Sequence, residues 1–258
     1  VGAPALLIDA VVVTVTICGG VLLGRLLKMD RGIALLTSVG SGICGAAAVL
    51  GAESTIRARP YKTAVAVSTV VIFGTISMFL YPVLYRHGIV SLTPEQMGIY
   101  TGATLHEVAH VVGAGNAMNG EISDAAIIVK MIRVMMLVPV LLTISYSVSV
   151  ARARRRRLAD RRSCGGVTRR IAVPWFALGF LAVIGFNSFG LLGEATVSFI
   201  HSLDTFLLTM AMTALGAETS IEKFKKAGAK PFVLSLLLFV WLVGGGWLLV
   251  KYMAPALM

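Results

Sequence analysis

Residues 40–52 read GSGICGAAAVLGA, and residues 102–114 read GATLHEVAHVVGA. The two stretches share glycine, alanine and valine at the same spacing, at a constant offset of 62 positions, and Ile43 is matched by Leu105. Both lie in apolar surroundings, yet they contain more glycine than a regular membrane helix favours. Paired, interrupted segments of this kind indicate internal repeats whose backbone lines a cavity.

The remainder of the chain has the composition of a membrane protein. Of its 258 residues, 57% are hydrophobic, and the mean hydropathy is +0.87. A soluble domain of this size cannot bury so much apolar surface, whereas a helix of about 20 apolar residues spans a bilayer. No strand-like alternation is visible, so the sequence predicts an all-α polytopic membrane protein. The predicted spans are residues 4–28, 62–86, 122–150, 173–190, 195–216 and 231–253.

Charges at the ends of the two glycine-rich segments predict how these segments lie in the membrane. Lysine and arginine flank residues 32–56 on both sides, whereas acidic residues flank residues 94–118. Basic residues concentrate on the cytoplasmic side of membrane proteins, so each segment is expected to enter and leave by one face. The sequence therefore predicts two re-entrant hairpins from opposite faces, with broken helices that cross the membrane as the alternative.

A second pair of matching segments extends the repeat. Gly2-Ala3-Pro4 opens the first predicted span, and Gly228-Ala229-Lys230-Pro231 opens the last. These pairs predict an inverted-repeat transporter with a single transmembrane domain, in which residues 1–88 end the first repeat and residues 89–258 form the second. Two spans precede the last helix and none precedes the first, so two further N-terminal helices are expected. Similarity by composition alone among Gly/Ala-rich helices is the alternative.

The net charge of +11 is concentrated in one segment. Residues 152–170 contain nine arginines and one acid, Asp160, and so carry +8 of the total. The segment lies between apolar spans, where such charge predicts a cytoplasmic loop. It lacks the interleaved aromatic residues and motifs of nucleic-acid-binding domains, so we expect no nucleic-acid partner.

Two cations within the span 122–150 are the most informative charged residues. Lys130 and Arg133 share one helix face, about 12 and 17 Å inside the span at about 1.5 Å per residue. A buried cation costs about 2.5–3.5 kcal/mol and usually has a functional partner. We expect the pair to bind a small anion together with backbone N–H groups near the first hairpin tip, with a structural ion pair to Glu107 as the alternative. The predicted anion-binding residues are Ser41, Gly42, Cys44, Gly45, Thr104, Lys130 and Arg133.

His106-Glu107-Val108-Ala109-His110 spells the H-E-x-x-H motif of zinc metalloproteases. That chemistry needs both histidines on one continuous helix and a third ligand, and no recognisable ligand motif follows. An intramembrane metalloprotease is therefore the alternative function. We favour a titratable cluster of His106, Glu107 and His110 that carries a coupling proton beside the cavity. Simple capping of backbone groups by the histidines is a third interpretation.

Five blocks of this sequence resemble the YeiH-type family of sulfate exporters. They are Gly42-Ile43-Cys44-Gly45-Ala46, residues 102–109, Val129-Lys130-x-x-Arg133 with Pro139, Pro174-Trp175-Phe176 and Ala214-Leu215-Gly216. The resemblance runs through nearly the whole chain and implies a bacterial inner-membrane carrier that exports sulfate or sulfite. It also implies a plan similar to that of the bile-acid and sodium–proton carriers, with further helices before Pro4. The family often has glutamine in place of His110, which argues against zinc binding as a shared function.

The expected partners follow from these assignments. They are a small anion and the lipid bilayer, and self-association stays open. We expect no cofactor and no resident metal. Asp9, near the start of the first span, is expected close to a membrane face.

Overall fold

The computed structural model describes residues 2–159, 179, 182–183, 185–186, 188–189, 193–218 and 228–257. The helices in these ranges are α1 (Gly2–Leu26), α2 (Arg31–Gly42), α3 (Ala46–Ile56), α4 (Pro60–Arg86), α5 (Pro94–Thr104), α6 (Val108–Met118), α7 (Gly120–Met135), α8 (Leu137–Ala159), α9 (Glu194–Glu218), α10 (Ala229–Val240) and α11 (Gly246–Leu257). A π-helical turn, Trp241–Gly245, joins α10 to α11. This part of the chain contains no strand, and the all-α prediction is confirmed.

Helices long and apolar enough to cross a membrane lie at Pro4–Leu26, Pro60–Arg86, Gly120–Val150 and Ala229–Ala256. They coincide with four of the six predicted spans, and the span predicted at 195–216 lies within α9. The span predicted at 173–190 falls mostly outside the described residues. α8 continues through Ala159, so the first arginines of the basic segment extend this helix, and the remainder of that segment is not among the described residues.

α2 and α3 form a hairpin that enters and leaves at the same end of α4. Gly32, near the start of α2, lies against Lys62 in the first turn of α4. Gly40, near the end of α2, lies against Val70 further along α4. α2 and α4 therefore run side by side in the same direction, and α3 must return before α4 can begin. A salt bridge of 2.8 Å between Lys62 and Asp30 holds the two ends of the hairpin together.

α5 and α6 form a second hairpin, which enters from the other end of α4. His110 of α6 lies against Gly74 of α4. Gly113, one turn later, lies against Met78, so α6 follows the direction of α4. α5 begins shortly after α4 ends and precedes α6 in the hairpin, so it runs back along α4. The two hairpins thus dip into the bundle from opposite ends, which is the re-entrant arrangement.

Small residues allow the hairpins to approach the spanning helices closely. A Cβ atom at Gly20 of α1 would collide with Ser38 of α2, and one at Gly102 of α5 would collide with the backbone oxygen of Ala126 in α7. Lipid tails are as apolar as leucine, so helices in a membrane associate through such close packing. The glycines that look unfavourable for a helix therefore serve the contacts that position the hairpins.

The first hairpin opens on a helix cap whose strength depends on pH. Asp30 is the N-cap of α2, and its carboxylate accepts hydrogen bonds from the backbone N–H groups of Gly32 and Ile33 and from Lys62. The Lys62 bond, above all, holds the pKa of Asp30 below its usual value. This contribution to stability is present above the unfolded-state pKa, and it is lost as the pH falls through the lower, folded-state pKa.

We expect Asp30→Asn to lower the melting temperature at neutral pH, because asparagine can still cap the helix but cannot form the ion pair. The difference from the wild type should shrink as the solution is acidified through the aspartate range. Thermal denaturation in detergent across pH measures this, with Asp124→Asn, an exposed site on α7, as the control. A difference that stays constant down to low pH would show that the charge of Asp30 plays no part.

Candidate functional site

The tips of the two hairpins meet beside Lys130 of α7. Lys130 is fully buried, and its ammonium donates to the carbonyl oxygen of Ile43 at 2.8 Å and to that of Leu105 at 2.6 Å. Ile43 directly follows α2 and Leu105 directly follows α5, and the two residues match at the offset of 62 positions. Lys130 therefore binds the same point of two hairpins that arrive from opposite directions.

Arg133, one turn further along α7, bonds to the same two helix ends. Its Nε and one terminal nitrogen donate to the carbonyl oxygen of Gly42, and that terminal nitrogen also reaches Ser41 at 3.3 Å. The other terminal nitrogen donates to Ala103 and, at 3.3 Å, to Leu105. The last carbonyls of a helix have no partner within the helix and carry partial negative charge. The guanidinium satisfies these carbonyls on both hairpins at once.

Both cations have partners that the sequence does not suggest. The sequence predicts that they bind an anion together with backbone N–H groups, and in the structure they donate to carbonyl oxygens at the ends of α2 and α5. The physical reason is that these helices end at the level of α7 where the cations lie, and a helix C-terminus attracts positive charge. Neither donor set is directed at Glu107, the alternative ion-pair partner. Lys130 uses two of its three ammonium hydrogens in this way.

Glu107 reaches from the second hairpin to the first. Its Oε1 accepts a hydrogen bond of 3.2 Å from the backbone N–H of Ala46, the first residue of α3. A carboxylate is stabilised there, because the first N–H groups of a helix are unpaired and its dipole is positive at this end. The position equivalent to Glu107 in the other repeat is Gly45, which has no side chain. The N-terminus of α6 accordingly has no side-chain cap.

Gly45 is needed both for its backbone conformation and for its contact with Glu107. Its φ of 69° lies in the left-handed region, and a Cβ atom would overlap the Cγ of Glu107. A residue with a Cβ atom at such a positive φ costs about 1–2 kcal/mol by itself. We expect Gly45→Ala to lower the free energy of unfolding by more than this amount. Gly88→Ala is the matched control, because Gly88 has a φ of 66° and open space around it. Equal losses in the two variants, measured by denaturation in detergent, would contradict the contact with Glu107.

We call the point where the hairpin ends at Ile43 and Leu105 meet Lys130 and Arg133 the crossing. Three further residues of the predicted site lie at it. The hydroxyl of Thr104 is used within the bundle, since it hydrogen-bonds to the carbonyl of Tyr100 and, at 2.7 Å, to the hydroxyl of Tyr81. The Oγ of Ser41 is buried without a hydrogen-bond partner among the described residues. Cys44 is buried, and it interacts electrostatically with Lys130. The structure thus gathers the predicted anion-binding residues around one point of α7.

The two histidines of the motif lie on the α4 side of the crossing. His106 is almost fully buried in the turn before α6, and neither of its ring nitrogens has a partner among the described residues. The Nε2 of His110, within α6, is 3.4 Å from the hydroxyl of Thr75. A Cβ atom at Gly74 of α4 would overlap the ring of His110 and would lie 3.2 Å from the Cβ of His106. These contacts place both histidines against α4.

The residues of the H-E-x-x-H motif do not have the geometry of a zinc-protease site. α6 begins at Val108, so His106 precedes the helix that carries His110. The carboxylate of Glu107 is bonded to the first hairpin. Within the part of the chain that the structure describes, no three His, Cys, Asp or Glu side chains lie close enough to hold a metal ion.

Comparison with known proteins identifies the family. A family model described as "Conserved hypothetical protein 698" matches residues 1–235. The chain belongs to this family. The UPF0324 membrane protein of Bacteroides thetaiotaomicron is 73% identical over 258 residues, which cover 100% of this chain and 75% of that protein.

More distant relatives carry the same family name. The UPF0324 membrane protein of Bordetella bronchiseptica is 49% identical over 252 residues, which cover 97% of this chain and 76% of that protein. The UPF0324 inner membrane protein YeiH of Escherichia coli is 45% identical over 247 residues, covering 95% and 68% of the two chains. The resemblance to the YeiH-type family is thus confirmed, and the protein is a multi-pass membrane protein. No solved structure matches.

One charged residue of this UPF0324 protein was placed wrongly from the sequence. Asp9 is expected near a membrane face, but it is 0% exposed, and it interacts electrostatically with Arg133 and then with Lys130. Neither of its carboxylate oxygens has a hydrogen-bond partner in the described structure. α1 already begins at Gly2, which puts Asp9 about two turns inside the helix. The run 5–13, ALLIDAVVV, carries the signal that could have found it, because a lone carboxylate within an apolar span is expected to be functional.

Proposed function

We propose that this protein is a secondary transporter of a small inorganic or sulfur-containing anion in the bacterial inner membrane, and that it works by alternating access. The proposal is carried by the meeting of two re-entrant hairpins, one from each end of the bundle, at the buried cations Lys130 and Arg133. Paired discontinuous helices near the membrane midplane build the substrate sites of secondary transporters. The name of the E. coli relative, an inner membrane protein, supports the location.

The charge of the two cations is available to an anion although most of their donors are used. Their hydrogen-bond partners are uncharged carbonyls, so the hydrogen bonds themselves neutralise neither positive charge. Lys130 retains one ammonium hydrogen, and the uncapped N-terminus of α6 adds unpaired N–H groups. The proposed anion-binding residues are Ser41, Gly42, Cys44, Gly45, Thr104, Lys130 and Arg133. The proposed proton-coupling residues are His106, Glu107 and His110.

The hairpins provide a physical route to alternating access. Each hairpin fills the bundle from one face only, so displacement of one hairpin opens the crossing to that face while the other stays closed. Lys130 and Arg133 are common to both hairpins and remain the fixed point of the movement. Rocking of one repeat against the other around a fixed site is the general mode of transporters with inverted repeats.

Export of sulfate or sulfite is the specific form of the proposal. A divalent oxyanion matches two cations on one helix face, and guanidinium and ammonium groups form strong, charge-assisted hydrogen bonds with such oxygens. The resemblance to the YeiH-type family supports the same substrate class. An intramembrane metalloprotease is the second candidate function. The H-E-x-x-H motif favours it, but His106 precedes α6, whereas a zinc protease needs both histidines on one helix.

A binding screen separates the two candidates. The purified protein in detergent is heated with sulfate, sulfite, thiosulfate or a small organosulfonate, and the melting temperature is compared with that in chloride. A ligand at 100 times its Kd should stabilise the folded state by about 2.7 kcal/mol. Stabilisation by one of these anions supports the carrier. Stoichiometric bound zinc, with no stabilisation by any anion, would favour the metalloprotease.

A further inference from the structure

Asp9 is a buried ionisable residue that is not among the proposed anion-binding or proton-coupling residues. It lies on α1, is 0% exposed, and has no hydrogen-bond partner on either carboxylate oxygen among the described residues. A buried ionised carboxylate without hydrogen bonds is costly, so such a group either has a charged partner or becomes neutral by binding a proton. The carboxylate is close enough to Arg133 and Lys130 to interact with both.

The charges at the crossing balance when no anion is bound. Lys130 and Arg133 are matched by two buried carboxylates, Asp9 and Glu107. The ends of the half-helices also cancel, because α2 and α5 direct negative ends to the crossing and α3 and α6 direct positive ends to it. An anion that enters this site therefore adds uncompensated negative charge to a low-dielectric interior. Uptake of a proton by one of the two carboxylates removes part of that excess.

The hydrogen bonds show which carboxylate is the better proton acceptor. Glu107 accepts a bond from the N–H of Ala46 at the positive end of α3, and both features favour its ionised form. Asp9 has no such bond, so its ionised form is held only by the two cations. An anion that binds to these cations competes with Asp9 for their charge. Asp9 is therefore the group whose protonation is most directly linked to the anion.

Other ionisable groups lie on α1 and on the elements packed against it. On α1 itself they are Cys18 and Arg25, and on the neighbouring elements and the turn after α2 they are Arg31, Cys44, Glu95, Tyr100, Glu121, Asp124, Lys130, Arg133, Lys230, Lys251 and Tyr252. Of this set, Arg133 and Lys130 are the ones that act on Asp9. Protonation of Asp9 is thus set by the two residues that the anion is proposed to contact.

We propose that Asp9 binds one proton when the anion binds and releases it when the anion leaves, so that an anion and a proton cross the membrane together. The step is a simple proton transfer: water that enters the open crossing protonates the carboxylate, and the neutral acid returns the proton to water on the other side. The inference rests on the proposed function, and it assigns the coupling proton to a residue outside the H-E-x-x-H cluster.

The first test measures the affinity for sulfate between about pH 5 and pH 9, where sulfate itself does not titrate, with the full-length protein in detergent. Linkage of one proton to one anion predicts that the wild-type affinity falls by up to about tenfold for each unit of pH rise. Asp9→Asn, which mimics the neutral acid, should bind sulfate with little dependence on pH. Asp124→Asn, the same change at an exposed site on α7, should behave as the wild type.

The outcomes separate this inference from the proposed function. Sulfate binding that does not vary with pH in the wild type, or a pH dependence that persists in Asp9→Asn, would overturn the role of Asp9 while leaving the anion site intact. If the dependence of sulfate affinity on pH disappears in His106→Asn but persists in Asp9→Asn, the proton binds to the histidine. A dependence on sodium at constant pH, with no dependence on pH, would also overturn it. Failure of the wild type to bind sulfate, sulfite or thiosulfate would count against the proposed function itself.

A second measurement detects the proton on Asp9 directly, first without an anion and then with one. Infrared difference spectra between acidic and alkaline samples should contain the C=O stretch of a protonated carboxyl group in an apolar environment. This band should be absent from Asp9→Asn and present in Asp124→Asn. In the wild type it should be larger after addition of an anion that binds than before. A wild-type spectrum without any component that disappears in Asp9→Asn, over the whole pH range in which the protein stays folded, would refute protonation of Asp9.

Discussion

Replacing Arg133 by methionine is expected to lower the free energy of unfolding by about 3–5 kcal/mol, the range for removing one side of a buried charged interaction. The side chain is 0% exposed and donates to carbonyls of both hairpins. Methionine fills much of the volume but leaves Ser41, Gly42 and Ala103 without their donors, and each buried carbonyl left unpaired costs about 1–3 kcal/mol. The free energy of unfolding of Arg133→Lys should lie between those of the wild type and Arg133→Met. An ammonium keeps the positive charge, but it cannot reproduce the planar set of N–H donors of the guanidinium.

Denaturation in detergent measures this effect, and Arg86→Met is the matched control. Arg86 donates a single hydrogen bond of 2.7 Å to the carbonyl of Ala117 and is exposed, so its loss should cost little. Equal effects of the two substitutions would mean that Arg133 does not hold the hairpins together.

Lys130→Met is expected to weaken anion binding by about 10- to 100-fold. The estimate corresponds to one hydrogen bond to a charged group, about 1.5–3 kcal/mol. The ammonium lies between the carbonyls of Ile43 and Leu105, at the point where the two hairpins meet, and it is proposed to donate its third hydrogen to the anion. Isothermal titration with the anion that stabilises the wild type most measures the affinity of the folded variant.

Lys251→Met provides the control for Lys130, because Lys251 lies over the ring of Trp247 at 4.9 Å and is partly exposed. That variant should bind the anion as the wild type does. Melting temperatures are recorded on the same samples, since Lys130→Met also removes a donor from two carbonyls. An unchanged anion affinity together with a lowered melting temperature would show that Lys130 only fastens the hairpins, and the anion site would have to be abandoned.

The hairpins could be predicted because their signals are local. Glycine density, flanking charge and the match at an offset of 62 positions are properties of short stretches, and residues 40–52 and 102–114 do form the two tips. Lys130 and Arg133 could be singled out from the sequence as well, since a cation buried in a span must have a partner.

The partners of these side chains could not be predicted, because they depend on how deep each hairpin reaches. The sequence predicts an anion as the partner of Lys130, and it gives no sign that the ammonium lies level with the carbonyl ends of α2 and α5. The bond between Glu107 and Ala46 joins residues 61 positions apart in different hairpins, and no periodicity reveals such a contact. Asp9 was misplaced although its span was correctly predicted to begin at residue 4, because its burial depends on the packing of α1 against α7, which no short stretch of sequence reveals.

Carrier-mediated transport of an anion through the crossing is tested most directly by counterflow in liposomes. Vesicles that contain the full-length protein are loaded with unlabelled sulfate and diluted into a trace of labelled sulfate, and the experiment is repeated with sulfite and thiosulfate. A carrier accumulates label transiently above the equilibrium level, and Lys130→Met should abolish that overshoot. Uptake that rises to equilibrium without an overshoot would indicate a channel, and no flux of any of the three anions through folded, inserted protein would contradict the account.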